Sequence, residues 1–336
     1  MESDRARIAG RAKLGGTGVT LSAESLSRLA GETGFRVEFL EKVDRLVELL
    51  QALFSDSYLK GRLALKGGTA LNLFHFHLPR LSVDIDLNFI GAVDRETMLE
   101  ERPLVEQRIQ AIARRQNLSL VRAPTGHAGS KWSFRYSAAS GGGGTLEVDL
   151  NYLYRQPLWP LQRLDSHPLG PIAARAIPVL DIHELAGGKL AALFSRAAAR
   201  DLFDAHHLLT VSQTEEARLR TAFILYGAMN RRDWRTITLD DIAVDYRDAR
   251  RNLFPLLVQH RLTRRHEQDE MLDRLIGETR QALEALLPLD EKARDFLNRL
   301  LDEGSIRPEL LDLDTGLTDI VNTHPALLWR AQQARR

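Results

Sequence analysis

The chain has 336 residues, 44% apolar and 27% charged, with a formal net charge of +1; this is long for one compact core, so two lobes are expected. It contains no cysteine, which excludes disulfides, thiolate catalysis and zinc–thiolate sites. No apolar run reaches bilayer length and no signal peptide opens the sequence, so the cytosol is the expected compartment, and any nucleic-acid partner has to be met by local patches rather than by net charge.

Residues 1–30 read as a loose, polar N-terminal segment. Val37, Leu40, Val43, Val47, Leu50 and Phe54 recur at helical spacing and predict a long amphipathic helix over 35–55. Residues 62–66 predict a short strand, which Gly67 and Gly68 break. Thr69 is placed to cap a helix running to about His77, and Leu78-Pro79 stops it. Alternation over 83–90 predicts a second strand. A helix charged on one face follows to about Gln116, with Pro103 in the first turn of its main body. Two further strands are expected at 131–137 and 145–153, joined by a hairpin through the glycine run 141–144. Pro157, Pro160, Pro168, Pro171 and Pro178 mark an extended connection, and nearly everything from Asp181 onward reads as helix. The expected fold class is α+β, with a mixed-sheet lobe over 31–180 followed by an all-α lobe over 181–336.

Chemistry concentrates in the strands. Side chains alternate with period two, so Val83, Ile85, Leu87 and Phe89 share one face of the 83–90 strand and Asp84, Asp86 and Asn88 the other. The 145–153 strand repeats the pattern, with Leu146, Val148 and Leu150 opposite Glu147, Asp149 and Asn151. If the two strands are neighbours, three carboxylates converge and repel one another unless a cation sits among them. Oxygen donors of this kind suit Mg²⁺, with Mn²⁺ as the alternative, in phosphoryl displacement. An acid pair alone is common on the wet face of a strand. The glycines change its weight. Gly67 and Gly68 sit at a strand-to-helix junction where backbone N–H groups and the helix N-terminus favour an anion, and Thr69 adds a hydroxyl.

A second cluster lies in D-I-H-E-L-A-G-G-K-L-A-A-L-F-S-R-A-A-A-R-D-L-F-D-A-H-H-L-L, residues 181–209. As one helix it would put Lys189, Arg196, Arg200 and Asp204 on one stripe; alternatively Asp201 caps a new helix after a break near 198–200. Cations there suit a triphosphate, Lys189 above all as a compact, mobile charge. The plainer alternative is a solvated helix face with internal ion pairs.

The order Gly67-Gly68-Thr69, short helix, Asp84-x-Asp86, later Asp149 resembles the polymerase β-like nucleotidyltransferase superfamily. The blocks L-A-L-K-G-G-T-A-L-N-L-F, L-P-R-L-S-V-D-I-D-L-N-F and K-L-A-A-L-F-S-R-A-A-A-R-D-L-F-D, with H-P-A-L-L-W-R-A near the end, narrow the resemblance to the AbiEii family of toxins over about residues 35–331. One departure is A-A-A-R-D, where many members carry a proline before R-D. The resemblance implies a toxin of a two-gene toxin–antitoxin or phage-defence system, partnered by an AbiEi-type antitoxin. It implies transfer of nucleotides from a nucleoside triphosphate, with Mg²⁺, to RNA at the tRNA 3′ acceptor end, which blocks translation. By matching position it makes Ser82, Asp84, Lys189 and Asp204 functional residues, with Asp86 following from the acid pair. Asp84, Asp86 and Asp149 are then the expected metal ligands, with Glu147 as the rival third acid. Gly67, Gly68, Thr69, Ser82, Arg80 and Arg200 are expected to contact phosphates. Lys189 neutralises the triphosphate, and Asp204 either orients Lys189 or touches the nucleotide. Ser82 is also an expected control point, since phosphorylation would place about −2 charge beside two carboxylates.

For RNA, nine arginines (Arg231, Arg232, Arg235, Arg247, Arg250, Arg251, Arg261, Arg264, Arg265) face five aspartates over 231–265, and Trp132 and Trp234 offer stacking surfaces. Ordinary helix-surface arginines are the competing reading. His75, His77, His206 and His207 read as structural. The rival functions are nucleotidyl transfer to a small molecule or protein, of the antibiotic-modifying or AMPylating kind, and a non-catalytic binding module on the same fold.

Overall fold

The computed structural model describes residues 20–124, 129–259 and 264–335. A seven-stranded mixed sheet has the order β3 (Ser119–Arg122), β4 (Gly129–Ser137), β5 (Gly143–Asn151), β2 (Asp84–Phe89), β1 (Leu63–Lys66), β7 (Ile177–Val179), β6 (Gln162–Leu164). Helix α1 (Ala23–Thr33) is capped by Ser22 and buries Leu26 and Leu29. The loose N-terminal segment expected over 1–30 therefore gives way to a docked helix from Ala23 on, because those two leucines have a core to enter; residues 1–19 lie outside the described residues. Helix α2 (Val37–Ser55) fills the predicted span and buries its apolar stripe under the sheet side of the molecule.

Strand β1 (Leu63–Lys66) leads straight into a helical turn, α3 (Gly67–Thr69), which continues as a wider turn over Ala70–His75. Thr69 is thus not a cap: the turn starts at Gly67, with Lys66 at its N-cap. The hydroxyl of Thr69 is drawn across to the sheet instead. Strand β2 (Asp84–Phe89) runs antiparallel to β1 and parallel to β5 (Gly143–Asn151).

Between them, α4 (Arg95–Arg115) contains Pro103 well inside it. Pro103 does not begin the helix because Asp94 caps it earlier, accepting from Thr97 N at 2.8 Å. Strand β3 (Ser119–Arg122) and strand β4 (Gly129–Ser137) complete one side of the sheet, and the β4–β5 hairpin turns through Gly141 and Gly142, both at positive φ. The proline-rich connection holds two short strands, β6 (Gln162–Leu164) and β7 (Ile177–Val179).

The 181–209 segment is two helices, α5 (Ile182–Arg196) and α6 (Ala199–Thr210), broken at Ala197, which is left-handed at φ 50°. Asp201 falls in the first turn of α6 rather than at its cap, which is Ala198. Helices α7 (Glu216–Ala228), α8 (Tyr246–Asp248), α9 (Arg265–Leu283), α10 (Glu291–Asp302), α11 (Thr315–Thr323) and α12 (Pro325–Ala334) follow. No helix among the described residues is long and apolar enough to cross a membrane.

Candidate active site

The parallel β2–β5 register places Asp84 beside Glu147, Asp86 beside Asp149 and Asn88 beside Asn151. Ile85, Leu87, Val148 and Leu150 are fully buried on the opposite face, which fixes the register: a one-residue slip would bury every acid. The acids line two cavities of about 350 and 440 Å³ that share Asp86, Asp149, Lys189 and Arg196.

Compensation differs sharply among these carboxylates. Asp84 is half-exposed and paired to Lys42 (3.6 Å) and Arg200 (3.2 Å). Glu147 is held by Lys131 at 2.7 Å. The Asp86 and Asp149 carboxylates make no hydrogen bond or ion pair among the described residues, although the charges of Lys66 and Lys131 act on Asp149 from farther off. Burial, and next the charge of Asp86, push the Asp149 carboxyl above the ordinary aspartate range. Two oxygen-only donors repelling each other across adjacent strands fit a hard divalent cation by their chemistry. Among the described residues, however, no group of three or more His, Cys, Asp or Glu side chains forms a ready metal cluster.

Gly67 holds φ at +72°, and a Cβ there would sit 2.2 Å from Asp86 Oδ2. A side chain at this position would displace the carboxylate, so the glycine is what lets β2 bring Asp86 against the first turn of α3. A Cβ at Gly68 would lie 2.8 Å from Arg80 Nη2 and 3.1 Å from Ser82 Oγ. Both glycines therefore leave room for functional groups rather than for solvent. The Thr69 hydroxyl lies 2.5 Å from the Asp84 carbonyl and 3.0 Å from Ser82 Oγ. The carbonyl can only accept, so the single Thr69 proton goes there and ties α3 to β2. Thr69 is fully buried and does not line the cavity; Ser82 is buried too, but it does.

Arg80, expected at the phosphates, lines the 350 Å³ cavity but is a buried guanidinium, 2% exposed. Its Nε and Nη2 donate to Asp204 Oδ1 and Oδ2 at 2.8 and 2.6 Å, and Nη1 donates to the Leu81 carbonyl. Asp204, with no exposure at all, also accepts from Asn72 at 3.0 Å and pairs with Lys189 at 3.0 Å. Burial alone would raise the Asp204 carboxyl, but Arg80 and Lys189 hold it below its usual range. Lys189 is pinned rather than mobile: its Nζ donates to Asp201 Oδ1 at 2.9 Å. Burial pulls its pKa down, and the Asp201 and Asp204 carboxylates overcome that and hold it above the usual lysine value. Asp201 takes Arg196 as well, at 2.5 Å from Nε and 3.0 Å from Nη2. Asp204 thus meets Lys189, not the cavity.

The sequence reading missed Lys42, Lys66, Asn72 and Lys131. Lys131 was recoverable, since it alternates with the buried Trp132, Phe134 and Tyr136 of β4 and faces Asp149 in register. Lys42 carries no such signal; only the tertiary approach of α2 to β2 brings it to Asp84. The expected stacking surfaces do not exist: Trp132 and Trp234 are fully buried, Trp234 against Phe194 and Phe223. Of the nine arginines, Arg232, Arg235 and Arg250 are spent on Asp241, Asp302 and Asp269, and Arg261 lies outside the described residues. His75 and His207 are partly buried, His207 stacked on Phe203, and His206 bonds Glu278, in keeping with structural roles.

The sequence profile of the nucleotidyl transferase AbiEii toxin family, of type IV toxin–antitoxin systems, matches residues 48–305. The chain belongs to that family. It is therefore a nucleotidyltransferase toxin of a type IV system, a class that takes a nucleoside triphosphate and has a cognate antitoxin. Among solved structures, MenT4, a nucleotidyltransferase toxin from Mycobacterium tuberculosis H37Rv, matches at a TM-score of 0.54 and 21% identity, over 90% of this chain and 98% of its own, which shows a shared fold. No curated protein matches in sequence.

Proposed function

We propose that this AbiEii member transfers a nucleotide from a nucleoside triphosphate to RNA, at the 3′ acceptor end of tRNA, and so blocks translation. The observation that carries the reading is the pair Asp86–Asp149, whose carboxylates make no hydrogen bond or ion pair among the described residues, set between the Gly67–Gly68 turn and a rim of cations in two cavities that share both acids. Backbone N–H groups at the start of the turn favour the phosphates. Arg200, Lys131 and Arg196 supply positive charge from the cavity wall, and Lys189, fixed by Asp201 and Asp204, adds a charge that cannot swing away.

The acceptor hydroxyl oxygen attacks the α-phosphorus, its proton passes to Asp149, and pyrophosphate leaves. Asp149 suits that task by position, since it lines both cavities and its carboxylate is not tied up in a hydrogen bond or ion pair among the described residues. Its freedom from ion pairs, against the Lys131-bound Glu147, favours it as the third carboxylate. Asp86 and Asp149, with Asp84 on the same face, would hold Mg²⁺, which when bound neutralises charge on the phosphates. Arg80 and Asp204 act from below as positioning residues. Ser82 faces the same cavity, so a phosphate on it would compete with the substrate for these cations; a Ser82→Asp protein with full activity would contradict that.

The test is incubation with total tRNA and each labelled nucleoside triphosphate. Label on tRNA, abolished by Asp86→Ala, supports the reading. Label confined to the protein itself or to small molecules sinks it in favour of the rival acceptors.

A further inference from the structure

A cavity of about 770 Å³ lies outside the acidic site and next to it. It shares Tyr154 and Asn230 with the 440 Å³ cavity, which in turn shares Asp86 and Asp149 with the phosphate side. One wall comes from the start of α4 and the residues after β5; the other comes from α12, beyond the stretch the family profile matches. We propose that this cavity receives the single-stranded 3′ end of the RNA acceptor and leads its terminal hydroxyl to Asp149. This rests on the RNA reading above and specifies where the strand lies.

Three features select that occupant. The lining carries Arg95, Arg155 and Arg231 against a single acid, Asp94, whose carboxylate is already used capping α4. Arg95 and Arg231 are exposed, and neither side chain makes a hydrogen bond or ion pair among the described residues, unlike Arg232 and Arg235 nearby. Unpaired arginines along a groove suit phosphodiesters. Trp329 lines the same space half-buried, without a ring partner among the described residues, beside the exposed Leu328. Tyr154, by contrast, is stacked on Tyr226 at 5.4 Å and serves as wall. An open indole between free arginines takes an unstacked base, whereas a duplex is too wide for a cavity of this size.

The test measures transfer kinetics with deacylated tRNA for Trp329→Ala, Trp329→Phe and the double variant Arg95→Glu/Arg231→Glu, with thermal unfolding as a folding control. The expected result is a rise of about tenfold or more in the tRNA KM for Trp329→Ala. Trp329→Phe recovers most of it, the double variant loses salt dependence, and the KM for the nucleoside triphosphate stays unchanged. An unchanged tRNA KM overturns the proposal. So does a raised triphosphate KM, which would make the cavity a nucleobase site, and so does loss of antitoxin binding with normal tRNA kinetics. If the wild-type protein labels no RNA, the broader reading falls and this one with it; if it labels RNA and the variants match it, only this one falls.

Discussion

Asp86 and Asp149 on the sheet, and Asp201 and Asp204 on α6, are the same chemical group a short distance apart, and they live under opposite conditions. The α6 pair is buried and answered by Arg80, Lys189, Arg196 and Asn72. The sheet pair has no cation in bonding contact among the described residues, only the more distant charges of Lys66 and Lys131 on Asp149. A buried, fully bonded ion pair fixes geometry and gains little net stability, whereas breaking it leaves a charge stranded. An unbonded pair does the reverse: it costs the free protein repulsion and holds that charge for something brought in. In this cleft one set of acids positions, and the other is available to a ligand.

The largest stability effect should come from breaking the compensated side. Asp204→Ala leaves Arg80 and Lys189 short of a counter-ion in the interior and should cost about 3–5 kcal/mol, read as a lower urea midpoint. A cost under about 1 kcal/mol would mean the network is no more than a surface pair.

Glu184 sharpens the comparison, being a fully buried carboxyl bonded by Tyr226 OH (2.8 Å) and Leu158 N (3.0 Å) but by no cation among the described residues. Burial pushes its pKa up to about 7. The folded protein therefore keeps a proton that the unfolded chain releases above its ordinary value of 4.5, so stability falls as pH rises from there to about 7. The slope contributed is at most about 1.4 kcal/mol per pH unit. Glu184→Gln should flatten that window in pH-dependent unfolding, and a slope left intact would assign it to other groups.

The smallest effect belongs to Arg200→Ala. Its pair with Asp84 is partly exposed at 39% and 29%, so stability should change by only about 0–1 kcal/mol, while the KM for the triphosphate rises. Loss of stability without a KM change would place Arg200 with the structural set.

The face of Asp84 and Asp86, the matching face of Asp149 and the two glycines were all legible, because period-two alternation and φ-permissive residues are local properties of the chain. So were the long helix at 37–55 and the helical second half. What failed has a common cause. The partner of Arg80, Asp204, lies 124 positions away in sequence, and no local spacing shows that pairing. Thr69 looked like a cap because caps are local, yet its hydroxyl was claimed by a carbonyl fifteen residues on. Trp132 sits on the buried face of β4 by simple alternation, so parity already argued against its role in stacking. Pro103 marked a helix start only if Asp94 were ignored, although an aspartate three residues before a threonine was there to be read.

Asp149→Asn tests the central claim most directly, because it keeps the shape and removes the charge. Nucleotide transfer to tRNA should fall by about 10²–10⁴-fold, with thermal stability equal to wild type or higher, since a repulsion is relieved. Transfer at the wild-type rate, or a loss of activity explained by unfolding, would contradict the account.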